Sequence, residues 1–271
     1  MQDMRSELTA NDLRFTPPQL PRDLLLRFLD DRWGVTGTLK SLPGERDQNF
    51  LVCTDDDTRY VLKVSSPIED SILVDFQVQA MLHLEGVDPE IPVPRVCHSL
   101  DGTAVKTLRT SEGEHAVRLL SWVHGVRLDD AGPASPEVIA QIGALQGRMC
   151  KAFAGFRHAG ASHFMPWSTL NGLVVSRELC SRYLLDGLAE RCAPALQRLE
   201  KESLPRLLAL PRQTIHNDAH SGNVLCDPDA PGTVAGVIDF GDLIEGPLVV
   251  DLATSLASIL DHSKTPLEAA A

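Results

Sequence analysis

The sequence predicts an α+β fold in two lobes: a β-rich lobe over residues 1–120 and a mainly helical lobe over residues 121–271. Two patterns carry this expectation. Up to Leu120, short runs rich in β-branched and aromatic residues are punctuated by Gly, Pro and Asp turns. From Pro136 to about Leu208, apolar residues recur at helical spacing and strand signals all but vanish.

In chain order, residues 35–42 read as a strand that ends in the turn Pro43-Gly44-Glu45-Arg46-Asp47. Strands at 48–53 and 59–64 follow, joined by the acidic turn Asp55-Asp56-Asp57, and the three make an antiparallel meander. A helix is expected over 70–85, with Leu73, Phe76, Ala80 and Leu84 on one stripe. Ile91-Pro92-Val93-Pro94 is extended, because each proline fixes its own φ and restricts the residue before it. Strands return at 95–98, 103–108 and 115–120, and helices are expected near 136–154, 172–191 and 194–208. Residues 213–242 break the helical pattern with a polar loop, a strand at 223–226, a turn at Asp227-Pro228-Asp229 and a strand at 233–238. A last helix runs over about 247–260, and the terminal alanines Ala269 to Ala271 are helix-compatible.

Bulk properties narrow the function. A chain of 271 residues buries a sizeable core, and its 43% apolar and 23% charged content is ordinary for a globular protein. A net charge of −12 argues against nucleic acid as a partner, since such binding needs a basic face. One or two cations at a phosphate site remain compatible with it. The six cysteines are dispersed with no C-x-x-C pair, so reduced thiols are expected rather than a disulfide framework or zinc ribbon. Residues 1–12 are polar and lack the apolar stretch of a signal peptide, and no run reaches the length of a membrane span. The expected compartment is the cytoplasm, with no membrane partner.

The chemistry is concentrated in His216-Asn217-Asp218-Ala219-His220-Ser221-Gly222-Asn223, followed across a short hairpin by Asp239-Phe240-Gly241. Phosphoryl transfer needs one carboxylate to take the proton of the attacking hydroxyl. It also needs a second carboxylate and an amide oxygen to hold Mg²⁺ against the triphosphate. Asp218 fits the first role, and Asp239 and Asn223 fit the second. A fixed cation is needed as well, and Lys63 lies in the strand Tyr60-Val61-Leu62-Lys63-Val64 after a glycine-containing turn. His216 and His220 have the i, i+4 spacing of a zinc pair, but the glutamate of H-E-x-x-H is absent and Ser221-Gly222 favours a loop. His216 is expected to brace that loop, and Asp251 to act as a cap or brace.

With these residues the chain resembles the aminoglycoside phosphotransferase/choline kinase family, small-molecule relatives of protein kinases. The resemblance spans the turn 42–50, Lys63, a hinge at Leu119-Leu120-Ser121-Trp122-Val123-His124-Gly125, the H-x-D loop, D-F-G and Asp251-Leu252-Ala253. Within the family it is most similar to hydroxylysine kinases and aminotransferase-fused kinase domains, through Arg46-Asp47-Gln48-Asn49-Phe50 and the stretch from Gly241-Asp242 to Pro247-Leu248. The resemblance implies a bilobal protein-kinase-like fold, ATP as co-substrate, and a small-molecule hydroxyl acceptor. It also implies a turn ending at Asn49 over the phosphates, and adenine held by backbone groups around Ser121 and Val123 with Leu120 and Trp122 nearby.

Two departures stand out. The family's glutamate partner of the strand lysine is replaced by Gln77, with Asp75 two residues earlier, so the partner of Lys63 is open between them. Family members also usually continue through further helices, which suggests a fragment. The acceptor is expected to be an amino alcohol or hydroxylated amino acid, its ammonium paired with Asp242 or Glu245. A non-catalytic pseudokinase, an aminoglycoside phosphotransferase and a zinc hydrolase using His216 and His220 are the alternatives.

Overall fold

Residues 16–183 and 187–262 are described by a computed structural model. The expectations for residues 1–12 and for the terminal alanines fall outside them, as do three residues in the middle of the 172–191 helix. The described residues open with α1 (Arg22–Trp33), then β1 (Thr38–Leu42), β2 (Asp47–Cys53), β3 (Arg59–Ser65), α2 (Ser71–Val87), β4 (Val96–Cys97), β5 (Lys106–Thr110) and β6 (Gly113–Ser121). β7 (Val126–Arg127), α3 (Leu128–Ala131), α4 (Pro136–Ala152), α5 (Gly172–Tyr183), α6 (Leu188–Arg198) and α7 (Leu204–Leu208) follow. The described residues end with β8 (Arg212–Ile215), β9 (Val224–Cys226), β10 (Val234–Val237), β11 (Ile244–Pro247) and α8 (Leu248–His262).

The N-terminal sheet is antiparallel in the order β1-β2-β3-β6, with β4 and β5 pairing successive stretches of β6. Side chains alternate across a strand, so this register sorts the sheet into two faces. Phe50, Val52, Leu62, Val64, Val117 and Leu119 point one way and form a core with Leu25, Leu29 and Trp33 of α1. Lys63, paired with Asn49 and with Arg118, faces the other way. The alternation that builds the core thereby sets a row of charges on the opposite face.

α1 is missing from the sequence expectation, although its stripe Leu25, Phe28, Leu29, Trp33 and its left-handed C-cap Gly34 (φ 65°) are regular helix signals. α2 is capped by Asp70, whose side chain accepts from the Ile72 amide at 3.0 Å. Phe76, Ala80 and Leu84 are buried as expected, and so are Val74, Gln77, Val78 and Met81. This helix is covered on several sides because it joins the core of the second lobe, packing with Leu120, Ile142, Met149, Val224 and Phe240.

In the helical lobe, α4 presents Val138, Ile142, Leu145 and Met149 to that core from an N-cap at Ser135. Pro194 does not open a helix as the expected 194–208 segment implies. α6 runs through it from Leu188 and leads into a π-helical turn, Leu199–Ser203, before α7. The segment around Gln213 is not loop but β8, paired with β11 in the register Ile244↔Ile215 to Pro247↔Arg212. β9 and β10 form the expected hairpin, with β7 as a third strand on β9.

Candidate active site

The loop between β8 and β9 carries Asp218 and Asn223. Its shape is held from α8, where Asp251, Ser255 and Ser258 lie on one helical face. Asp251 accepts the amides of His216 (3.0 Å) and Asn217 (2.6 Å), the Ser255 hydroxyl donates to the Ala219 carbonyl, and the Ser258 hydroxyl accepts the Ser221 amide at 3.0 Å. Asn217 sits at φ 66°, a left-handed conformation tolerated by Asn. His216 is fully buried with its ring edge against Phe240, and its Nδ1 accepts the Asp218 amide at 3.3 Å. Burial drives its pKa down against the pull of Asp251, so the ring is neutral. It braces the loop from inside, whereas His220 lies on the cavity. Among the described residues no group of three or more His, Cys, Asp or Glu side chains is placed to hold a metal.

Asn223 Nδ2 donates to both Asp218 Oδ2 (2.8 Å) and the Asp218 carbonyl (2.9 Å), which commits its amide nitrogen and leaves Oδ1 as the end suited to a metal. The β9–β10 hairpin then returns the chain: Val224 pairs with Val237, and the Ile238 amide donates to the Asn223 carbonyl at 2.9 Å. Asp239 follows at φ 64°, its side chain half exposed (49%) and accepting the Gly241 amide at 3.2 Å. Lys63 Nζ donates to Asp239 Oδ1 at 3.3 Å and, against the pull of burial, holds this carboxyl below its usual range. Asp218 behaves oppositely. Burial, then the nearby Asp242 and Asp239 charges, push its carboxyl up to about 6, against His220 and the Asn223 hydrogen bond. One acid is thus held ionised, while the other titrates near neutrality.

Neither expected partner of Lys63 contacts it. Asp75 accepts from His158 (3.0 Å) and Gln79 (3.3 Å), and Gln77 Oε1 accepts from Arg118 at 2.8 Å. The second carboxylate beside Lys63 is Asp47 at the start of β2, 3.5 Å away. Asp47 and Arg118 escaped the sequence reading. Asp47 looked like the end of a turn, and the available signal for Arg118 was a lone arginine inside the apolar run 117–120.

The turn before β2 folds over this group. Asn49 Nδ2 donates to the Pro43 carbonyl at 3.0 Å, and a Cβ on Gly44 would lie 2.3 Å from the Asp47 carbonyl, so only glycine fits there. Arg46 crosses to the other lobe, donating to the Gly241 carbonyl at 3.0 Å and pairing with Asp242. Lys63, Asn49, Asp218, Asn223, Asp239 and Asp242 all line one cavity of about 470 Å³. Ser121 and Val123 stand outside it at the hinge end of β6, where the Ser121 hydroxyl accepts the Arg95 amide and the Trp122 amide donates to the Arg59 carbonyl. Glu245 does not reach the site. It accepts from Ser162 at 3.2 Å and lines a separate cavity with His158 and Thr214.

A strand-rich and a helical lobe around this cleft, with a strand lysine facing carboxylates from the opposite lobe, make up a protein-kinase-like fold, and the comparisons with known proteins place it among small-molecule kinases that act on a hydroxyl. The chain belongs to the phosphotransferase enzyme family, whose model matches residues 38–271. It is 22% identical to the hydroxylysine kinase of Danio rerio and 27% identical to that of Xenopus laevis, each match covering 93% of this chain and 73% of the relative. It is 32% identical to the homoserine kinase of Methylobacillus flagellatus over 79% of this chain and 60% of that protein. Among solved structures, an amicoumacin kinase in complex with AMP-PNP and Ca²⁺ matches with TM-score 0.67 at 16% identity, over 89% of this chain and 70% of that one. A microcompartment-associated aminopropanol kinase matches with TM-score 0.59 at 19% identity, over 87% and 73%. At these identities the structural matches speak for the fold.

Proposed function

We propose that this protein transfers the γ-phosphoryl group of ATP to the hydroxyl of a small amino alcohol or hydroxylated amino acid in the cytoplasm. The observation that carries the reading is the placement of Asp218, Asn223, Asp239 and Lys63 on one cavity, with Asp218 poised near neutrality. Asp218 accepts the hydrogen bond of the acceptor hydroxyl and takes its proton. Asn223 Oδ1 and Asp239 hold Mg²⁺, which supplies positive charge against the phosphates. Lys63 contacts the phosphates, the turn ending at Asn49 covers them, and the backbone at Ser121 and Val123 holds adenine.

The acceptor class rests on other residues that line the same cavity. Asp218 and Asp242 line the cavity, and Trp167, 51% exposed, presents an aromatic surface to it. Carboxylates and an aromatic face suit an ammonium group. The named relatives act on hydroxylysine and homoserine, and a structural neighbour on aminopropanol. Each is an amine that bears a hydroxyl.

ADP release, measured with Mg-ATP against hydroxylysine, homoserine, aminopropanol, ethanolamine, aminoglycosides and neutral sugars, tests this. Turnover with one or more of the small amines and none with sugars is expected. Efficient phosphorylation of sugars with the amines inert overturns the acceptor class.

A further inference from the structure

Lys63 and Arg118 are direct register partners on β3 and β6, two cations side by side on the cavity face of the sheet. Like charges in that position repel, and an arginine only 1% exposed needs a counter-charge. A single oxygen answers both demands: Asp47 Oδ2 lies 2.8 Å from Arg118 and 3.5 Å from Lys63. Arg118 is further fixed by the Ser65 hydroxyl (2.7 Å) and by Gln77 Oε1 (2.8 Å). The other end of the Gln77 amide donates to the Gly241 carbonyl at 3.4 Å. A glutamate could not make that second bond, since a carboxylate has no donor. Lys63 also touches Asp239, but that carboxylate is the proposed metal ligand. Asp47 is the anion beside Lys63 without another duty toward ATP.

Resting on the phosphotransferase reading, we propose that Asp47 on β2 orients Lys63 for phosphate contact. Gln77 acts at one remove, tying Arg118 and Asp47 to the Asp239-Phe240-Gly241 segment. The charged partner lies on the neighbouring strand β2 and not on α2, where the Gln77 amide bridges a cation and a carbonyl. Asp47, Arg118 and Gln77 are positioning residues.

A double-mutant cycle tests this with Asp47→Asn, Lys63→Met and their combination, followed by calorimetric ATP affinity, KM for ATP and kcat, with melting curves as a folding control. Asp47→Asn is expected to weaken ATP binding about tenfold, the scale of one charge-assisted hydrogen bond, and to leave the acceptor KM unchanged. In the Lys63→Met background it should add nothing. A further tenfold loss there, or wild-type ATP affinity in Asp47→Asn, overturns the proposal. If Asp47→Asn fails to fold because Arg118 is stranded, Asp47→Asn with Arg118→Gln removes both buried charges, and the loss of ATP affinity should persist. Gln77→Glu gives an independent reading: no gain in ATP affinity is expected, and a gain of about tenfold would place the partner of Lys63 on α2. Absence of Mg-ATP binding in the wild-type protein would count against the phosphotransferase reading itself, whereas additive effects strike only at Asp47.

Discussion

Asp218 and Asp239 face the same cavity, yet their surroundings push them in opposite directions. Lys63 keeps Asp239 ionised, while burial and the neighbouring Asp242 and Asp239 charges raise Asp218 to about 6. The raised acid has a consequence for stability. Its folded-state pKa lies above the unfolded value, so the folded protein binds this proton more tightly. Stability contributed by the site is then present at low pH and lost as pH rises through about 6. In metal-free protein at pH 7, Asp218→Asn is therefore expected to raise Tm relative to wild type, with the gap closing below pH 4. The same variant should lower kcat by roughly 10²–10⁴-fold, the usual worth of a general base, with ATP affinity nearly intact. Scanning calorimetry across pH and steady-state kinetics read the two effects. A Tm gap independent of pH contradicts the first, and wild-type turnover the second.

At the scale of elements, α8 acts as the last of the loop's supports, its Asp251, Ser255 and Ser258 spaced to meet three parts of the β8–β9 loop. Asp251 satisfies two amides that would otherwise be buried without partners. Removing it by Asp251→Ala leaves both unsatisfied, at about 1–3 kcal/mol each. Loop displacement should also cost turnover, since a misplacement on the order of 1 Å can reduce rate about 10²-fold. A kcat lowered by roughly 10–10²-fold, an ATP affinity close to wild type and a lower melting temperature are the expected results. Unchanged kcat in a folded variant would show that the loop keeps its shape without α8. The hairpin contributes in another way: Gly236 lets β10 lie against the Pro92 carbonyl, 2.4 Å from where a Cβ would be, and so seats the strand that leads to Asp239.

Across the whole molecule, α2 belongs more to the second lobe's core than to the sheet it follows, so the lobes share one apolar cluster through Phe76, Met81 and Leu84. That continuity carries Gln77 to the Gly241 carbonyl across the cleft, with Arg46 crossing nearby. The net charge of −12 acts at the same scale. On the proposed function it would draw a cationic acceptor toward a cavity lined by Asp218, Asp239 and Asp242, and salt screens that attraction with a Debye length of about 10 Å at 0.1 M. The KM for an ammonium-bearing acceptor is thus expected to rise severalfold as NaCl increases, with kcat little changed. A KM insensitive to salt would mean that the acceptor is held without help from the acidic field.

The sequence by itself determined the division into a strand-rich and a helical part and the order of strands in the first meander. It also singled out Asp218, Asn223, Asp239 and Lys63 as candidates, because turn chemistry, side-chain periodicity and motif spacing are local properties that a linear chain displays, and the fold sets the four on one cavity. Asp251 as a brace was legible for the same reason. α1 is equally legible from Leu25, Phe28, Leu29 and Gly34. Other features needed the fold. β8 and β11 are short and earn their pairing only from each other, so neither stood out alone. The partner of Lys63 could not be read along the chain, since Asp47 meets it by sheet register and Gln77 turns to Arg118 by helix packing. Glu245 left the acceptor wall, and Asp242 stayed on it paired with Arg46, because the direction of a side chain after D-F-G is set by β11 joining β8. Contacts between residues far apart in sequence are made by tertiary packing, and no local pattern encodes which of two neighbouring carboxylates will face the cation.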